Sequence, residues 1–135
     1  MRALRHGALL GACLLVLVGC EQSRDPEKVG AQFVDSYYIR VDLADARRWT
    51  EGVATEKIDE QLRLTHGVRV EGTRAMREVS YRVVEKKRSE GERVILVFEL
   101  TVKAPGSGSF RKRSLITLGK GSGGWRVTNF RDFDA

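Results

Sequence analysis

Few residues of this 135-residue chain are equipped for covalent or acid–base chemistry. There are two cysteines and two histidines. A cysteine acts as a nucleophile through its thiolate. Cys13 lies inside the unbroken apolar run Ala8–Val18 and reads as a small hydrophobe, whereas Cys20 stands just past that run beside Gly19. His66, between Thr65 and Gly67, suits a helix end, where the dipole favours its cation. Tyr37, Tyr38 and Asp42 complete the candidates for an acid–base set. Against that role, Tyr37 reads as a core aromatic with its hydroxyl at a rim, and Asp42 as a helix cap. So few histidines and cysteines leave little room for a four-ligand zinc site, and no metal or cofactor is expected. Two basic triplets, Lys86-Lys87-Arg88 and Arg111-Lys112-Arg113, make one patch for an anionic surface if their strand ends meet; otherwise they are solvated edges protected by charge. No aromatics interleave with them, so nucleic acid is not an expected partner.

The residues before Cys20 explain its position. Met1–Gly7 carries Arg2, Arg5 and His6 and no acid, and the apolar run follows. This is a basic start and hydrophobic core of signal-peptide length, shorter than the ~20 apolar residues that a membrane span needs. The run ends Leu17-Val18-Gly19-Cys20, which resembles a bacterial lipobox. That resemblance implies cleavage between Gly19 and Cys20, a diacylglyceryl thioether on Cys20 and acylation of its new amino group. Two or more acyl chains anchor stably where a single one binds reversibly. The alternative is an ordinary secretory leader with an incidental cysteine. Glu21-Gln22-Ser23-Arg24 then forms a short polar tether. In the lipoprotein class an aspartate after the cysteine is associated with inner-membrane retention; Glu21 in that place favours the periplasmic face of the outer membrane. Loss of Arg2 and Arg5 lowers the formal charge from +6 to about +4 and leaves His66 as the sole histidine. No disulfide is then possible, so the mature domain rests on its hydrophobic core. The expected organisation is a signal peptide over 1–19, lipidated cysteine and tether over 20–24, and one folded domain over 25–135.

The elements that must position these groups follow from periodicity. Asp25-Pro26-Glu27 reads as a helix start. Val29, Phe33, Tyr37 and Val41, with Val34 and Tyr38 beside them, predict one helix over about 26–41. Asp42 caps a short second helix, Leu43–Trp49, and Thr55 a third over about 56–65 carrying Ile58, Leu62 and Leu64. The period then changes to two. Strands are expected over Val79–Val83, Val94–Val102, Phe110–Leu118 and Trp125–Phe130, with a small extra one at Val68 and Val70. Helices followed by a meander indicate an α+β domain, with the helices packed on a curved antiparallel sheet of about four strands. Ile95 and Val97, with Val84 nearby, fall on the outer face of the second strand, to be covered by a homodimer through the sheet or by the loop around Val68 and Val70.

The order of a helix carrying Phe33-Val34-x-x-Tyr37, then Val41-Asp42-Leu43-x-x-Ala46-x-x-Trp49, then strands ending in Gly124-Trp125-Arg126-Val127, resembles the nuclear-transport-factor-2-like superfamily over about 25–134. It is similar to the SnoaL-like and small bacterial lipoprotein branches. The resemblance implies a curved sheet wrapped around a long helix, often a cone with an internal pocket. Some members are isomerases, cyclases or dehydratases, and many only bind ligands or partners. Ketosteroid-isomerase-like members pair a helix tyrosine with carboxylates. Tyr37 or Tyr38 resembles that tyrosine, but no inward carboxylate or histidine is found at strand spacing. The expectation is therefore a lipid-anchored envelope protein that binds a protein, lipid or small hydrophobic ligand without catalysis. The alternative is a small isomerase or cyclase using Tyr37 or Tyr38 with Asp42 or His66.

Overall fold

The computed structural model describes residues 24–67 and 77–135. The leader, Gly19 and Cys20, and the strand expected at Val68 and Val70 lie outside the described residues.

The chain enters α1, Pro26–Val34, as the sequence predicts: the Asp25 side chain accepts from the Glu27 N–H at 2.9 Å and Pro26 takes the first helical position. Val29, Phe33 and Val34 are fully buried against the sheet. Gly30 permits that approach, since a Cβ there would lie 2.8 Å from Leu96 Cδ1. The helix does not continue in α form to 41. Asp35–Ile39 forms a π-helical turn, with the Arg40 N–H bonded to the Asp35 carbonyl at 2.9 Å. Ser36 donates its hydroxyl to the Gln32 carbonyl at 2.9 Å, and its own carbonyl accepts from Asp42 N–H at 2.8 Å. The extra residue in the turn slips the apolar stripe, so Ser36 and Tyr38 are buried. Val41 lies beyond the helix at φ +51°, a region that β-branched residues rarely enter.

Asp42 caps α2, Leu43–Arg48, accepting from Asp45 N–H at 3.0 Å. The next helix, α3 (Val53–Thr65), starts earlier than expected, after Gly52 at φ +58°. Thr55 is thus inside it, sharing a 2.8 Å hydroxyl contact with Thr50 instead of capping. Ile58 is buried, but Leu64 is 63% exposed, because it falls off the face that meets the sheet.

Four antiparallel strands follow in the order β1-β2-β3-β4: β1 Glu78–Ser89, β2 Arg93–Ala104, β3 Gly108–Gly121 and β4 Gly124–Asp134. The expected α+β architecture is the one observed. Alternate residues of β2, from Val94 to Leu100, join Ile116, Leu118 and Val127 in the core beneath the helices. On the outer face Val97 is 6% exposed within the single chain, paired with Leu115. Residues 49–51 cover part of the β4 edge, through Val127 N–H to Trp49 O at 2.8 Å and Glu51 N–H to Val127 O at 2.9 Å. A bulge between Val83 and Glu85 breaks the β1 register, and the β1 edge carries the charged run Lys86-Lys87-Arg88, as strand edges open to solvent do.

One directional feature matters for function. Helix α1 begins at the sheet end where β1 and β3 finish, with Arg24 and Pro26 beside Arg88, Arg93 and Trp125. It then runs to the opposite end, where Tyr37 and Tyr38 meet Val79 and Val102.

Candidate functional site

At that opposite end a cavity of about 380 Å3 opens between the π turn, α3 and the sheet. Val41, Leu43, Val79, Leu100, Val102 and Phe110 give it apolar walls. One side is polar. The Tyr38 hydroxyl donates to Asp132 Oδ1 and lies 2.8 Å from Ser114 Oγ. Lys112 donates to Asp132 Oδ2 at 3.0 Å, and its ammonium sits 4.9 Å from the centroid of the Tyr38 ring, within cation–π range. Tyr37 accepts from Gln61 Nε2 at 2.6 Å and stacks on Phe33 with centroids 5.4 Å apart. Arg77 donates to the Tyr38 carbonyl at 3.3 Å.

Burial is the main reason that the Tyr38 phenol holds its proton far above the ordinary tyrosine range, and the bond to the Asp132 carboxylate adds to it. Tyr37 shifts the same way, again through burial, partly offset by the Gln61 bond. The folded phenols keep protons that the unfolded chain releases above about pH 10. Their contribution is complete below that pH and declines as pH rises, because the unfolded state alone then loses protons. Urea unfolding between about pH 9 and pH 11 is expected to show falling stability, with a shallower fall for Tyr38→Phe. Parallel slopes for the two proteins would remove Tyr38 as the source.

The sequence candidates divide cleanly. Tyr37 and Tyr38 line the cavity. Asp42 and His66 do not: Asp42 is occupied as the α2 cap, and His66 stands exposed at the end of α3. The expectation that no carboxylate faces inward is overturned by Asp132. Its signal was hidden by a β4 bulge: Leu118 pairs with Val127 but Thr117 with Asn129, so Thr128 is extra. Phe130 and Asp132 therefore share the inner face with Trp125 and Val127, where strict alternation from Trp125 puts them outside.

The basic triplets do not gather into one patch. Strand β2 separates them, and they lie at opposite ends of the sheet. Within each, neighbours alternate between faces. Lys86 pairs with Glu27 of α1, and Lys112 serves the cavity. Arg111 and Arg113 instead approach Glu99 on the outer face at 3.9 and 3.5 Å, joining Arg82 at 2.9 Å. Glu99 is buried there, and the Arg82 bond, followed by the charges of all three arginines, holds its carboxyl below the usual range. Trp125 belongs to the core and Trp49 packs against it. Among the described residues no cluster of three or more potential ligands could hold a metal ion, and no helix is long and apolar enough to cross a membrane.

The sequence matches no family model and no curated protein. Solved structures do match in fold. A ketosteroid isomerase-like protein from Erwinia carotovora atroseptica superposes with TM-score 0.57 at 11% identity, over 83% of this chain and 95% of that one. A Thiobacillus denitrificans protein provisionally named a calcium/calmodulin-dependent protein kinase type II association domain gives 0.60 at 11% identity, over 83% and 96%. At this identity the likeness establishes the fold, a ketosteroid-isomerase-like, nuclear-transport-factor-2-like α+β domain, and nothing about chemistry.

Proposed function

We propose that this chain is a lipid-anchored bacterial envelope domain that binds a small, largely apolar ligand in the cavity beside Tyr38, without catalysis. The observation that carries the binding reading is the mutual pairing of Tyr38, Asp132 and Lys112 along the polar wall of an otherwise apolar cavity. The Tyr38 proton is committed to Asp132, and the second Asp132 oxygen to Lys112. A general acid or base must have a proton, or a lone pair, available to the substrate. Here the Tyr38 proton and one lone pair on each Asp132 oxygen are taken up by this pairing, while the remaining walls offer apolar area and Arg77 adds a cation. Such a cavity suits a compact hydrophobe with one acceptor or anionic end.

Anilinonaphthalene sulfonate has that chemistry. The mature chain with Cys20→Ser, which needs no detergent, is expected to bind it saturably at one site. Val79→Trp, which fills the cavity from its half-buried rim, is expected to weaken binding by about tenfold or more. Unchanged affinity would place the probe elsewhere and sink the reading.

The Tyr38–Asp132 pair also favours a second reading, an isomerase-type enzyme in which Asp132, rather than Asp42 or His66, is the acid–base partner of Tyr38. Catalysed exchange of α-protons of a ketone in deuterated water, abolished by Asp132→Asn, would replace the binding reading with this one.

A further inference from the structure

We propose that the sheet end where α1 begins docks the phosphate headgroups of anionic phospholipids. A hollow of about 260 Å3 there is lined by Arg24, Arg88, Arg93 and Lys120, with Glu92 as the one carboxylate among its described lining residues. None of the four cations forms an ion pair or side-chain hydrogen bond with another described residue. Other cations, such as Lys28, Lys87, Lys103 and Arg131, also lack an ion pair with a described residue, but what sets these four apart is that they line one hollow, whereas many cations elsewhere are paired. Arg40, Arg47, Arg63, Arg82, Lys86 and Lys112 all meet carboxylates. Four like charges around one hollow repel each other unless an outside anion joins them.

The identity of that anion follows from position. The four side chains come from different elements: the chain before α1, the end of β1, the start of β2 and the end of β3. Arg24 is four residues from Cys20. At about 3.3–3.6 Å per residue, an acyl-anchored Cys20 keeps the hollow within about 14 Å of the bilayer. That is of the order of the ~8–10 Å over which salt screens a charge, so the cations can meet anionic headgroups that the tether already holds near. Phosphate oxygens accept charge-assisted hydrogen bonds from arginine and lysine. The occupant rests on the lipid-anchor reading for its location; the cation cluster does not.

The test uses the mature chain with Cys20→Ser, so that binding is not supplied by the acyl chains. Flotation with phosphatidylglycerol-containing vesicles is expected to carry the protein, with phosphatidylcholine vesicles at least tenfold weaker. Joint substitution Arg24→Gln, Arg88→Gln, Arg93→Gln and Lys120→Gln is expected to abolish the difference. Arg111→Gln with Arg113→Gln, at the other sheet end, is expected to leave it intact. Glu92→Gln is expected to strengthen binding, a gain that a misfolded chain could not give. Equal binding to both vesicles, or a joint variant that floats like the parent, overturns the proposal. Tight binding of inorganic phosphate that displaces the protein from vesicles at low millimolar concentration would also overturn it, in favour of a soluble-phosphate site. Absence of acyl labelling on Cys20 with vesicle binding intact would remove the anchor and leave the dock standing.

Discussion

Phe33→Ala is expected to lower the free energy of unfolding by about 3–5 kcal/mol, a large part of the ~5–15 kcal/mol that holds an ordinary domain together. The side chain is fully buried. Its ring packs 5.0 Å from Phe130 and 5.4 Å from Tyr37, so it joins the last strand to the π turn. Truncation removes apolar contact and leaves a void that the surrounding sheet and helix cannot fully close. The same void loosens the support under Tyr37 and Tyr38, so the cavity should change with the core. Urea denaturation should show a lower midpoint at unchanged slope, with Phe33→Leu costing much less. A loss of unfolding free energy below about 1 kcal/mol would show that this helix–strand contact is not central to the fold.

Cys20→Ala is expected to move the protein from the membrane fraction to the aqueous one almost completely in high salt, where headgroup contacts are screened. Thioether formation needs the sulfur, and alanine has none. Nothing else among the described residues replaces the acyl chains, since no helix there is long and apolar enough to span a bilayer. Headgroup contacts alone are reversible and salt-sensitive, whereas two or more acyl chains are not easily extracted. Metabolic labelling with a palmitate analogue should tag the parent and miss the variant. Equal labelling, or equal sedimentation with membranes in high salt, would sink the anchor.

How legible the molecule is in its sequence depends on whether local rules act alone. Asp25-Pro26-Glu27 and Asp42 are helix signals that need only their neighbours, and both caps form. The even-numbered run from Val94 to Val102 has a period of two without interruption and becomes the central strand. The misreadings occur where the period slips by one residue. The π turn carries Tyr38 inward and leaves Val41 outside the helix. The β4 bulge at Thr128 carries Asp132 inward, and with it half of the candidate site. Neither insertion has a composition signature: Thr128 is an ordinary strand residue. The strand expected from the sequence ends at Phe130, two residues short of Asp132, whereas β4 runs on to Asp134. Pairing of Arg111 and Arg113 with Glu99 could not be read either, because it depends on strand register rather than on spacing along the chain.

The course of α1 from one sheet end to the other has a consequence for supply. The helix and its π turn, Pro26 to Ile39, span about 20 Å at 1.5 Å per residue. If Cys20 is anchored in the bilayer as proposed, they would act as a spacer that lifts the cavity entrance clear of the lipid. A molecule dissolved in the membrane would then have no direct route in. A ligand of the proposed kind would reach Tyr38 through water or by hand-over from a second protein, which would meet the rim formed by Val79, Arg77 and Phe110.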